Sequence, residues 1–171
     1  MVHGYHAIFG AYGYWLPNDP RGSWSDFVGA WELVRFGKAT NSLERKQLDE
    51  LTTEELSVRE QVKAALKYPA VEFTDTQILA IGHGFAEAIE KSTFVIWACF
   101  ILPLHVHLVI ARHRFKVEQI VRLLKGAATK RLKADGLHPL SDYETDTNEC
   151  PTPWADRKWK VFLDSDEAIV N

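Results

Sequence analysis

The chain has 171 residues, 46% of them hydrophobic and 12% aromatic, and a formal charge of −3 at pH 7. That size fits one domain, or one domain with a long insertion, and that composition excludes a disordered chain. The net charge argues against a generally basic nucleic-acid binder, and two cysteines, Cys99 and Cys150, exclude a disulfide framework and a zinc ribbon.

No basic segment followed by an apolar stretch opens the sequence, so no signal peptide is expected. The longest apolar run, 94–104, is too short to span a bilayer. The expectation is a reduced, cytoplasmic protein with no membrane partner, in which Cys99 is a small buried hydrophobe.

In chain order, "HAIFGAYGYWL" (6–16) predicts a first strand, and "PNDPRGSW" (17–24) is dense in turn formers and ends it. Residues 25–73 form an insertion within one domain covering 1–171. Inside the insertion, Thr52 with Glu55 predicts a capped helix running to about Lys67, stopped by Pro69. Thr74 with Gln77 predicts a second capped helix, whose Ile78, Leu79, Ile81, Gly82, Phe85 and Ile89 form a broad apolar stripe. "TFVIWACFIL" (93–102) predicts a strand, Pro103 a reversal, and "HVHLVIAR" (105–112) its hairpin partner.

A helix follows over 117–134, with Val117, Ile120, Val121, Leu124 and Ala128 on its core face and Gly136 as its stop. Residues 137–156 predict a loop and "KWKVFLD" (158–164) a fourth strand. The order β-α-β-β-α-β predicts an α+β, ferredoxin-like fold: a four-stranded antiparallel sheet with helices on one face. "SDEAIVN" (165–171) carries a helix start of barely one turn, so the expectation is that the helix continues past Asn171.

Two features carry chemistry. Strand side chains alternate, so His105 and His107 stand side by side on one face with Val109 and Ala111, away from Val106, Leu108 and Ile110. Each buried ring needs a hydrogen-bond partner, and two neighbouring imidazoles also make half of a metal site. The residues alone leave both readings open. Secondly, residues 112–133 hold Arg112, Arg114, Lys116, Arg122, Lys125, Lys130, Arg131 and Lys133 against one acid, Glu118. Such a run is either a solvated helix face or, on an acidic protein, one local basic face that directs polyanions to one place.

A His-hydrophobic-His strand followed by a basic helix resembles the HUH endonuclease superfamily. "CFILPLHVHLVIARH" with "IVRLLKGAATKRLK" resembles the single-tyrosine transposases of the insertion-sequence 200 type, especially the group associated with repetitive extragenic palindromes. "YGYWLPNDPRGSW" and "WADRKWKVFLDSDEAIVN" resemble two further segments of that group. The resemblance implies a single-strand DNA transposase that cuts and rejoins through a 5′-phosphotyrosine link. It implies His105 and His107 as ligands of Mg²⁺ or Mn²⁺, and single-stranded or hairpin DNA as partner.

The family's tyrosine and third ligand lie on the helix after the last strand, so the resemblance places both beyond Asn171. Tyr143 is a fallback nucleophile in a flexible loop. Leu102 and Leu104 depart from the family's usual Met-Pro-Asn or Met-Pro-Asp before the histidines. Arg112, Arg114, Arg122, Lys125, Lys130 and Lys133 supply a DNA track, with Tyr12, Tyr14, Trp15 and Trp24 as stacking candidates. Arg21 either meets phosphate or braces its own turn. The resemblance leaves a homodimer and a monomer both open. Two rival readings stand beside the transposase: a DNA-binding module without chemistry, and an unrelated metal-dependent hydrolase.

Overall fold

The structure, a computed structural model, describes residues 2–23, 25–42 and 46–165. The expected helix at 165–171 and the stacking candidate Trp24 therefore lie outside the described residues, apart from Ser165. The chain forms two compact units, one of residues 1–12 and 71–171, the other of residues 13–70.

The larger unit holds β1 (Gly4–Ala11), α2 (Asp75–Ser92), β2 (Ile96–Ile101), β3 (His105–Ala111), α3 (Val117–Ala134) and β4 (Trp154–Leu163), while α1 (Thr53–Ala64) belongs to the smaller. The four strands form one antiparallel sheet in the order β2-β3-β1-β4. With β3 lying between β1 and β2, and α2 connecting them, this is the ferredoxin-like split βαβ that the element order predicts.

One face of the sheet makes the core. Ala7, Phe9 and Ala11 of β1 and Val106, Leu108 and Ile110 of β3 are at most 1% exposed. They meet the helices: Phe9 packs edge-on against Phe85 of α2, at 6.4 Å between ring centroids. From α3, Ile120, Val121, Leu124, Ala128 and Leu132 are buried as well. Side chains alternate, so the residues between these strand positions face the other way.

Both capping boxes form. Thr52 caps α1 with Glu55, and Thr74 caps α2 with Gln77. The first of these helices ends at Ala64, short of Lys67. Thr93, expected in a strand, is instead the left-handed cap of α2 at φ 58°, and β2 starts only at Ile96. Strand β4 begins four residues early, at Trp154, because that ring is buried against Phe9 and Phe73 at 5.5 and 5.0 Å.

The expectation of a buried Cys99 is overturned, for it is exposed. Among the described residues its strand β2 lies at the sheet edge, with a neighbour on one side only. The first strand likewise stops at Ala11, and Tyr12–Leu16 are not strand. Gly13 turns the chain at φ 80°, and a β-carbon there would meet Leu66 and Ala70 at 2.7 and 2.8 Å.

The smaller unit has its own core of Leu16, Leu33 and Val62. At its centre the buried Asp19 carboxylate accepts from the Arg21 backbone N–H, Nε and Nη2 at 3.0, 3.0 and 2.9 Å. Arg59 adds an ion pair to the same carboxylate at 3.6 Å. Among the described residues no helix is long and apolar enough to cross a membrane.

Candidate functional site

Strand β3 places His105 and His107 on the sheet face opposite α2 and α3, where both are half-buried. Their ring centroids lie 4.8 Å apart. The register adds a third imidazole that sequence reasoning missed. In the β1–β3 ladder Ile8 faces His107 and His6 faces Val109, so His6 is the diagonal neighbour of His107 on the same face. His6 Nε2 and His107 Nδ1 lie 3.1 Å apart, within hydrogen-bond distance. Across from His105 the ladder partner is Gly10, which carries no side chain. On the other flank of His107, β2 contributes Phe100, which is 68% exposed.

Burial holds His105 below the ordinary histidine pKa, and the neighbouring His107 adds to the shift. Burial does the same for His107, with His6 adding. Both rings therefore stay neutral at neutral pH, and each keeps one nitrogen lone pair for a hydrogen or a cation. Among the described residues no group of three His, Cys, Asp or Glu is arranged to hold a metal ion. Two imidazoles side by side could hold a cation between them, a donor set that would suit Mn²⁺ better than Mg²⁺, which prefers oxygen ligands.

The basic residues gather on the other side of the sheet. A groove of about 1080 Å³ runs between α3 and the start of β4. Arg122, Lys125, Lys130 and Lys133 line it, together with Lys116 and Lys158, against the acids Glu118, Glu149 and Asp156. Helical spacing alone puts the α3 residues on one face. Lys116, part of the basic run though not of the expected DNA track, and Lys158, which the sequence did not mark, join through the fold.

Lys125 is the most buried of these, donating to the Ala155 carbonyl at 2.6 Å with its ammonium 5.1 Å from the Phe9 ring centroid. Burial is the main cause of its low pKa of about 8, and the Lys158 charge adds to it. Lys133 donates to the Asn148 carbonyl at 2.8 Å. Arg112 and Arg114 are exposed in the connection from β3 to α3, outside the groove.

Arg21 belongs to the smaller unit. It is 5% exposed, paired with Asp19, donating to the Tyr14 carbonyl at 3.0 Å and stacked 4.2 Å from the Trp15 ring centroid. Of its two sequence readings, the bracing of its own turn is the one this geometry describes. Tyr14 and Trp15 are held in the same cluster. Tyr143 sits in a 3₁₀ turn, Ser141–Tyr143, next to Glu144, which pairs with Lys133 at the end of α3.

No known protein-family profile matches the chain, and a search of curated proteins finds no match. Among solved structures, the chain is similar to a REP-associated tyrosine transposase bound to a REP hairpin, at 12% identity and a TM-score of 0.46. That alignment covers 98% of this chain and 60% of the other, so the chain spans three fifths of its length. A provisionally assigned transposase from Deinococcus radiodurans is similar at 11% identity and a TM-score of 0.44, covering 99% and 85% of the two chains. Likeness at these values assigns no activity.

Proposed function

We propose that the chain is a transposase-like HUH endonuclease domain that acts on single-stranded or hairpin DNA, with a divalent cation, Mg²⁺ or Mn²⁺, held by His105 and His107. One observation carries this reading: two neutral imidazoles stand 4.8 Å apart on the sheet face opposite the helices, half-buried and reachable. A structural core histidine has no need of a like neighbour, whereas a cation needs several ligands converging from one side. The sequence resemblance of the same strand and the following basic helix supports the DNA substrate.

In this reading His105 and His107 offer one nitrogen each to the cation. Bound there, the cation supplies charge stabilisation to a phosphodiester under attack. The α3–β4 groove, with Arg122, Lys125, Lys130 and Lys133, holds a second stretch of backbone by charge. The resemblance assigns the attack on the phosphodiester to a tyrosine.

The test uses an end-labelled single-stranded hairpin incubated with and without Mn²⁺ and resolved on denaturing gels. Cation-dependent cleavage with a covalent protein–DNA adduct, abolished in His105→Ala, is the expected result. Cleavage without an adduct points to a hydrolase, and binding without cleavage to a DNA-binding module; either outcome, or full cleavage by His105→Ala, overturns the proposal.

A further inference from the structure

The third imidazole, His6, has no part in the reading above, and its position constrains the chemistry of His107. The His6 and His107 rings lie 3.1 Å apart, and their hydrogen bond places one proton between Nε2 of His6 and Nδ1 of His107. The proton has two places to sit. If His6 Nε2 carries it, His107 Nδ1 is the acceptor, and the remaining proton of His107 sits on Nε2. That ring then offers no lone pair to a cation. If His107 Nδ1 carries the proton and donates to His6 Nε2, the His107 Nε2 lone pair is bare. Only the second arrangement makes His107 a ligand.

We infer that His6 is the positioning residue of the site: its Nε2 accepts the His107 Nδ1–H and so fixes the tautomer and ring orientation that present His107 Nε2 to a divalent cation. The inference rests on the cation-binding reading of His105 and His107. Metal-binding histidines ordinarily donate their other N–H to an acceptor that orients them, and that acceptor is most often a carboxylate, a carbonyl or water. On this sheet face the partner hydrogen-bonded to His107 Nδ1 is an imidazole. The ladder holds it in place, because Ile8 faces His107 and Tyr5 faces Ile110, which locks the register of β1 against β3. The rings of His6 and His107 are tilted by 30° with centroids 5.3 Å apart, so they meet close to edge-to-edge through their nitrogens and do not stack as a sandwich. His6 acts through His107 and does not itself ligate, in keeping with the lack of any three-residue metal cluster among the described residues.

The test reads the tautomer and the affinity separately. Long-range ¹H–¹⁵N spectra of the metal-free full chain are expected to show His107 protonated at Nδ1 and bare at Nε2. In His6→Leu that preference is lost, and the dissociation constant for Mn²⁺, titrated alone, rises roughly tenfold to a hundredfold. His6→Gln, whose amide oxygen accepts the same hydrogen bond, recovers most of the affinity and guards against a folding artefact. A His107 protonated at Nε2 in the wild type overturns the inference. So does an unchanged Mn²⁺ affinity in His6→Leu where His105→Ala loses it, and that pattern leaves the cation site standing. A wild type that binds no Mn²⁺ removes the site and the role of His6 together.

Discussion

Gly84 of α2 lies directly against Ala128 of α3: a β-carbon at Gly84 would fall 2.7 Å from the Ala128 Cα and 2.9 Å from its backbone nitrogen. The clash is with backbone, which cannot swing aside as a side-chain tip can. Gly84→Ala therefore forces the two helices apart over the sheet and destabilises the larger unit by about 1–3 kcal/mol. Gly82, two residues earlier, meets only Ile101 Cδ1 at 3.7 Å, so Gly82→Ala is expected to be tolerated. Urea unfolding of both variants checks the contrast.

In the smaller unit Asp19 is 1% exposed and is the carboxylate shared by Arg21 and Arg59. Asp19→Ala leaves the buried Arg21 guanidinium without its counter-charge, while Arg59 keeps its pair with Glu60 at 2.9 Å. Removing one partner of a buried pair costs about 3–5 kcal/mol. The loss appears as a lower denaturation midpoint reported by Trp15, whose ring lies 4.2 Å from the Arg21 guanidinium.

Lys125 gives a pH dependence of defined sign. Its pKa of about 8 in the fold lies below that of a free lysine, about 10.4. Below pH 8 both the folded and unfolded chains carry the charge, and the fold bears its desolvation. Between about 8 and 10.4 only the unfolded chain keeps the proton, so this group makes stability rise with pH across that window. Lys125→Met removes the burden. Its stability relative to wild type is therefore highest near pH 7 and falls as pH approaches 10, measured by denaturant titration at each pH.

Arg122 and Lys130 are exposed on the α3 wall of the groove. If they meet phosphates, log affinity for a DNA hairpin falls linearly with log salt, and each of Arg122→Ala and Lys130→Ala makes that slope shallower by about one unit. Arg21→Ala leaves the slope unchanged, because its guanidinium is already paired with Asp19. Fluorescence anisotropy against salt concentration measures all three.

Local rules carried far. The bounds of α3, Val117–Ala134, follow from the apolar spacing of Val117, Ile120, Val121, Leu124 and Ala128, and both Thr capping boxes marked true helix starts. Strand alternation alone set His105 beside His107. What depends on pairing was out of reach. His6 sits 101 residues from His107, and only the β1–β3 register brings them together. The side of the sheet taken by the basic helix was equally hidden: charge spacing shows which residues share a helix face, and packing decides which layer that face borders. Cys99 reads as core because its neighbours are apolar, yet β2 is an edge strand. Tyr14 and Trp15 continue an aromatic run, and the turn at Gly13 takes them out of the strand.

The central claim is that His105 and His107 together grip one divalent cation. Electron paramagnetic resonance of Mn²⁺ added to the full chain, with histidine nitrogens isotopically labelled, reads this most directly. Nuclear coupling from two imidazole nitrogens is expected, reduced to one in either His105→Ala or His107→Ala. Bound Mn²⁺ with no imidazole coupling, or coupling that survives both substitutions, would contradict it.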